Sequence, residues 1–304
     1  MKKVFAINGG AGRVICALPA LEKYYKKHGD NFYIYSESGL EFFLGNKKLQ
    51  SLTFEPNTKG LFENYIKPNQ LIDVEPYREH GYYNQKRSLT ESFDFLINDT
   101  EDHSDLEKPK ITLNKQEEIT ALDILSQLEK VKGKKKTIVF QPFGRSSTVN
   151  FDAVVDSSSR SLSKEHYIQM VKNLEKDYNI IYFGEHQIEG DASFRIQATL
   201  RIWAAIVEIS DYFIGCDSVG QHLAYSFNKP GTVILGSTME KNITYANHFQ
   251  ILRKPNIDIV YDPIRIQCLD SDLAQRYNDS CMDFTDKEVK DMIEKIRIDI
   301  KKKA

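Results

Sequence analysis

The sequence predicts an α/β protein made of two similar halves, each a parallel sheet with helices on both faces. Three observations predict it. Short apolar runs alternate with amphipathic helical segments from end to end. The alternation is interrupted at a lysine-rich stretch, KVKGKKK at 130–136, and restarts after it. The chain has 304 residues, enough for one large or two ordinary domains.

In the first half, Val4–Ile7 is a buried strand followed by glycines and a helix from Val14 to His28. Phe32–Tyr35 is a second strand, and weaker strands fall at Leu52–Phe54 and Leu71–Val74. Residues 76–105 break the pattern: they are aromatic, charged and long, with one helix at Ser88–Ile97. A further helix runs from Gln116 to Leu128, with Ile119, Leu122, Leu125 and Leu128 on one side. The lysine stretch then marks a boundary, giving domains at 1–133 and 134–285.

In the second half, Thr137–Phe140 is a strand ending in Gln141-Pro142-Phe143-Gly144. The helix Lys164–Lys176 precedes strand Ile180–Phe183, which Gly184 closes. Helix Thr199–Ile209, strand Tyr212–Gly215, helix Val219–Phe227 and strand Thr232–Leu235 follow. The last helix is Asp286–Ile300, within a 286–304 segment expected to cross back to the first domain.

Composition narrows the function. Apolar residues are 41% and charged residues 28%, a globular balance. The formal charge of −2 gives no overall basic field to draw the chain onto nucleic acid or membrane. Cys16, Cys216, Cys268 and Cys281 show no CxxC spacing, which fits reduced thiols and no structural zinc. No apolar run approaches the ~20 residues of a membrane span, and the N-terminus is too weakly apolar for a signal peptide. The expectation is a cytoplasmic protein without bound metal. Asp270-Ser271-Asp272 spells D-x-D, but it falls after the candidate ligand region and reads as chance.

The informative stretch is Phe213–Thr238, FIGCDSVGQHLAYSFNKPGTVILGST. A strand ends on Asp217 and Ser218, where ligands sit in open parallel sheets. Either residue can cap the next helix. Val219, Gly220 and Gln221 would then offer first-turn N–H groups to a phosphate, with Gly220 admitting it closely. An ordinary capped helix with a small packing residue fits the local pattern equally well. For His222, a buried structural ring and a phosphate donor both fit.

This stretch resembles the DSGxxH…A…GKPxxxLxGxT signature of family 9 glycosyltransferases, the heptosyltransferase-like enzymes of the GT-B fold. It is carried by Asp217-Ser218-Val219-Gly220-Gln221-His222-Leu223-Ala224, Asn228-Lys229-Pro230 and Leu235-Gly236-Ser237-Thr238. More weakly, GGAGRVICALPALEKY at 9–24 resembles the family's GxxGDxxxxxPAL loop. The resemblance implies two Rossmann-like domains facing each other across a cleft, able to close as a hinge. It places a nucleotide-sugar donor in the C-terminal domain and an acceptor on the N-terminal side. The donor residues implied are Gly12, Gly144, Arg145, Ser146, Arg160, Glu185, Asp217, Ser218, Val219, Gly220, Gln221 and His222. Arg160 would hold phosphates, Glu185 the ribose hydroxyls, and Gln197–Thr199 would lie beside the base.

The pattern breaks at Arg13, where the family carries an Asp that is commonly the catalytic base. Arginine cannot accept a proton near neutral pH, so Arg13 is expected instead to meet an anionic group. Gly10 and Gly12 give G-x-G, but Ile15 replaces the third glycine of a dinucleotide fingerprint. A base is therefore sought at 76–105 among His80, Glu91, Asp94, Asp99 and His103, with Asp94, His80 and Glu91 ranked first. The implied activity is inverting, metal-independent transfer of a hexosyl, pentosyl or heptosyl group to a hydroxyl, without a cofactor. The acceptor could be a glycan, or a hydroxymethylated base in DNA if the chain is a phage-type member acting in host cytoplasm. Arg13, Arg78, Lys86, Arg87 and the 130–136 lysines would then meet DNA phosphates. A sugar-nucleotide epimerase or a non-catalytic nucleotide-sugar-binding module is the alternative.

Overall fold

A computed structural model describes residues 1–145, 147–150, 153–156, 158–255 and 279–304. The chain divides into two compact units, 1–114 and 115–304.

The first unit is built from β1 (Lys3–Ile7), α1 (Ala11–His28), β2 (Phe32–Ser36), β3 (Thr53–Phe54), β4 (Gln70–Asp73), α2 (His80–Tyr83) and α3 (Leu89–Asn98). Its sheet has the order β3-β2-β1-β4 and all pairings are parallel. The chain leaves β1 toward β2 and returns on the other side with β4, so the strand order reverses between β1 and β4. Arg13, Val14, Leu18 and Leu21 of α1 are buried, as are Phe93 and Ile97 of α3. Ser88 and Glu91 form a reciprocal capping box that starts α3.

The second unit contains α4 (Lys115–Lys132), β5 (Thr137–Gln141), β6 (Thr148–Asn150), β7 (Ala153–Val155), α5 (Lys164–Leu174), β8 (Asn179–Tyr182), β9 (Phe194–Arg195) and α6 (Leu200–Ile209). It continues with β10 (Tyr212–Cys216), α7 (Val219–Ser226), β11 (Gly231–Ile234), α8 (Glu240–Ile243), β12 (Gln250–Leu252) and α9 (Asp286–Lys303). The main sheet, β12-β11-β10-β5-β8-β9, is parallel throughout. β5, β8, β10 and β11 are buried on both faces, which explains their unbroken apolar runs. β6 and β7 form a separate antiparallel hairpin.

The unit boundary differs from the expected one. The lysine stretch follows α4, and α4 belongs to the second unit, where Glu117 makes a two-pronged ion pair with Arg201 of α6. The expected apolar stripe of α4 is also narrower. Ala121 and Leu128 are buried, but Ile119 and Leu122 are more than half exposed. α9 packs within the second unit against α5 and β11, and Asp299 accepts a hydrogen bond from Tyr212 at 2.6 Å. Cys16, Cys216 and Cys281 are buried; Cys268 and Asp270–Asp272 lie outside the described residues. Among the described residues, no helix is long and apolar enough to cross a membrane.

Candidate functional site

In the second unit the strand order reverses between β5 and β10, and the carboxyl ends of those strands are where an open sheet opens a crevice. Gln141 ends β5 and clamps the turn that follows β10. Its Nε2 donates to Ser218 Oγ (3.2 Å), and its Oε1 accepts from Gly220 N (2.8 Å). That clamp changes the reading of the helix start. The Gly220 N–H is spent on Gln141, and Ser218, at the N-cap of α7, makes no side-chain cap. A Cβ at Gly220 would meet Gln141 Oε1 at 2.4 Å and the Phe213 ring at 2.7 Å. The glycine is therefore required by internal packing.

Asp217 is buried, and its Oδ1 accepts from Gln221 Nε2 at 2.9 Å. Its Oδ2 lies 4.0 Å from Arg160. Arg160 reaches this point because Asp156, Ser158 and Ser161 bond to one another and to it. Asp156 accepts from Ser158 N (2.8 Å) and from the hydroxyls of Ser158 and Ser161, and Ser158 Oγ accepts from Arg160 Nε (2.8 Å). Burial pushes the Asp156 carboxyl up, but the Ser158 and Ser161 donors and the Arg160 charge outweigh it and hold it below its usual range. Ser161 Oγ also accepts from Gly144 N at 2.8 Å, tying the loop to the end of β5. Ser159 adopts a left-handed backbone (φ 51°). Its carbonyl accepts from Ser237 N at 3.3 Å, beyond β11. Gly236 is glycine because a Cβ there would lie 2.0 Å from that same carbonyl. Arg253 fixes the far side by donating to Gly236 O (3.1 Å) and Thr238 O (2.7 Å).

The structure thus brings Gly144, Arg160, Asp217, Ser218, Val219 and Gly220 together at one end of the sheet. Gln221 and His222 belong to the interior. Gln221 has no exposed surface, and its Oε1 has no hydrogen-bond partner among the described residues. His222 Nδ1 lies 2.9 Å from Tyr245 Oη, and burial pushes the ring down to about 4. At neutral pH the ring is therefore uncharged, and it is buried against Tyr245. Arg145 is exposed beside Gly144, and Glu185 is exposed after β8. Ser146 lies outside the described residues. Thr199 caps α6 through Ile202 N at 3.4 Å. Sequence reasoning missed Gln141, Asp156, Ser158, Ser161 and Arg253. The run DSSSRSLS at 156–163 is a visible signal, since so many hydroxyls beside one acid and one arginine can only fold on themselves or on an anion.

The first unit corrects several expectations. Arg13, expected to meet an anionic group, meets a carboxylate of its own unit. It is buried at the point where the strand order reverses, just beyond β1 and β4, and pairs bidentately with buried Glu75 (3.1 and 3.2 Å). It also donates to Val74 O (3.3 Å), and the Tyr77 ring lies 5.0 Å away. Gly12 sits in the first turn of α1. Asp94 is not an accessible base: it has no exposed surface and is held by Lys23 (3.0 Å), Asn98 (2.8 Å) and His103 (2.7 Å). Glu91 accepts from Ser88 N (2.7 Å) as half of the capping box. His80 is exposed, 3.1 Å from Tyr83 Oη. Asp99 terminates α3 with φ 51°.

Three of the cations expected to face DNA have partners within their own unit. Arg13 is buried, Arg87 pairs with Glu79 and Glu101, and Lys135 donates to the carbonyls of Glu175 (2.9 Å) and Lys176 (3.1 Å).

No family model and no curated protein matches the chain. Solved structures do. A glycosyl transferase family 9 protein from Veillonella parvula superposes with TM-score 0.64 at 12% identity, over 98% of this chain and 97% of that one. E. coli ADP-heptose LPS heptosyltransferase II matches with TM-score 0.59 at 11% identity, covering 99% of each chain. E. coli heptosyltransferase WaaC with ADP matches with TM-score 0.51 at 14% identity, over 84% of this chain and 94% of that one. The chain therefore has the two-unit α/β fold of GT-B glycosyltransferases and resembles family 9 structures across its length.

Proposed function

We propose that the chain is a glycosyltransferase that takes a sugar from a nucleoside-diphosphate donor bound in the second unit and passes it to a hydroxyl acceptor. The observation that carries this reading is Arg160. It is held on its Ser158–Asp156 loop beside buried Asp217, with 22% of its side chain open at the carboxyl ends of β5 and β10. Two carboxylates near one arginine would be a poor anion site by themselves. Here Asp156 is already met by three donors, which tempers its charge beside the partly exposed Arg160 side chain. In this reading Arg160 and the α7 N-terminus face the diphosphate, and exposed Glu185 reaches the ribose. Fixed donors of this kind stabilise charge as it develops on a leaving diphosphate. The structural neighbours include a heptosyltransferase with ADP, so an ADP-linked sugar is the first donor to try. The transfer is proposed to invert the anomeric centre.

A thermal-shift screen with ADP, UDP, GDP and CMP and their common sugar conjugates tests the reading. A ligand at ~1,000 times its Kd adds about 4 kcal/mol to the folded state. One nucleotide series is expected to raise Tm, and Arg160→Ala to abolish the rise while leaving the unliganded Tm within a few degrees. No shift with any nucleotide, or the same shift in the variant, overturns the donor site.

A further inference from the structure

In the second unit, the chain leaves β5 at Gly144 and later returns to the same place. Ser161 Oγ accepts from Gly144 N at 2.8 Å, and Leu162 N donates to Pro142 O at 3.0 Å. The start and the end of this excursion each carry an arginine, Arg145 and Arg160. A Cβ on Gly144 would lie 4.0 Å from Arg160 Nη2, so the residue just before Arg145 touches the Arg160 guanidinium. We infer that Arg145 and Arg160 form a two-point site for the donor's diphosphate, and that His186 is the positioning residue that holds the turn carrying Arg145; this rests on the donor reading above.

Charge makes the second arginine matter. Arg160 stands beside two carboxylates, Asp156 and Asp217. Those three groups alone leave one negative charge in excess, which opposes a diphosphate. Arg145 is exposed next to Gly144 and brings the balance back to zero before the ligand arrives. Its contribution depends on where its turn is held.

Ser147 closes that turn. It is buried, and both its N and its Oγ donate to Gly144 O, at 3.1 and 2.6 Å. The hydroxyl proton is thereby used, so toward His186 Nε2, 2.8 Å away, Ser147 Oγ can only accept. Nε2 therefore carries the proton of the neutral ring. The His186 ring is half-buried 5.9 Å from the Phe143 ring, and the His186 carbonyl accepts from Arg195 of β9. The turn after β5 is thus pinned at Gly144 by Ser161 and at Ser147 by the loop after β8. Holding a loop in place before binding removes the ordering cost that binding would otherwise carry.

The test measures Kd for ADP, UDP and GDP by calorimetry on the full chain, with the unliganded Tm of each variant. Arg145→Ala is expected to weaken the bound nucleoside diphosphate by about 10–100-fold. His186→Phe keeps a ring against Phe143 but removes the donor, and is expected to weaken binding by about 3–10-fold. His186→Gln keeps an N–H of similar reach and is expected to stay within about twofold of the wild type. In an Arg145→Ala background, His186→Phe is expected to add less than about twofold, because the turn then has no charge to place. Long-range ¹H–¹⁵N spectra of the wild-type histidines are expected to show His186 protonated at Nε2, a readout independent of ligand and of whether the variants fold.

A wild type that binds a nucleoside diphosphate while His186→Phe binds it within about twofold overturns the positioning role alone. So does an Nδ1-protonated ring, a His186→Gln loss as large as that of His186→Phe, or a His186→Phe loss that persists in the Arg145→Ala background. Wild-type affinity in Arg145→Ala overturns the two-arginine site. A wild type that binds none of the three nucleotides overturns the donor reading and this inference with it.

Discussion

Replacing Gly220 by alanine separates two reasons for a glycine in the first turn of α7. If a ligand must approach the backbone there, Gly220→Ala folds normally and loses nucleotide binding. The structure says otherwise. The added methyl would meet Gln141 Oε1 at 2.4 Å and two Phe213 ring atoms at 2.7 and 2.8 Å. Gln141 is a flexible side chain, but it is buried and held by bonds to Ser218 and Gly220. Moving it breaks the bond to Gly220 N and leaves a buried donor unmet, about 1–3 kcal/mol. Phe213 has no exposed surface into which its ring could shift, so overpacking adds about 1–3 kcal/mol. Partial relaxation makes the sum about 2–4 kcal/mol. At roughly 2–4 °C per kcal/mol for a domain of this size, Tm should fall by about 5–15 °C. The chain has a single tryptophan, and Trp203 stacks on Phe183 within the second unit (4.3 Å, 14°), so its fluorescence reports that unit's unfolding alone. A variant melting within about 2 °C of the wild type refutes the packing argument.

Other variants probe the remaining corrected positions. Arg13→Asp, which restores the acid of the family-like loop, would set a second carboxylate against buried Glu75. Breaking that pair should cost about 3–5 kcal/mol, read as a lower urea midpoint by far-UV circular dichroism; an unchanged midpoint contradicts the buried-pair reading. His222 titrates at about 4 when folded and near its ordinary 6.5 when unfolded. The unfolded chain therefore binds the extra proton first, and the contribution of His222 to stability is intact above pH 6.5 and lost as pH falls toward 4. That loss is about 3 kcal/mol, so His222→Gln should flatten the acid limb of second-unit stability followed by Trp203 fluorescence. An equally steep limb in the variant would assign the acid sensitivity to other groups.

Local pattern carried the elements well where one rule dominated. The apolar runs of β5, β8 and β10 and the Ser88–Glu91 cap are short-range signals, and each lies within a residue or two of its expected place. What failed was non-local. Arg13 and Glu75 are 62 positions apart, and nothing near Arg13 announces a carboxylate. A lone arginine after a glycine loop reads as a ligand contact until β4 brings Glu75 beside it. Ile119 and Leu122 have helical spacing, yet α6 meets only a narrow stripe of α4. The lysine run looked like a linker because charge was visible and the Glu117–Arg201 pair, 84 positions apart, was not.

The same distinction separates the ranked acids from an accessible base. Among titratable residues in an irregular segment, sequence favours acids on a helix face, and so it favoured Asp94 and Glu91. Helices, however, spend acids on themselves: Glu91 goes to the N-cap, and Asp94 is enclosed by α1 and by the segment after α3. His103 is nine positions beyond Asp94, outside any helical spacing, so no periodicity could have joined them. A carboxylate that is fully enclosed serves chemistry only by what it orients. In this chain Asp94 holds the His103 ring at 2.7 Å and is itself closed off from any acceptor.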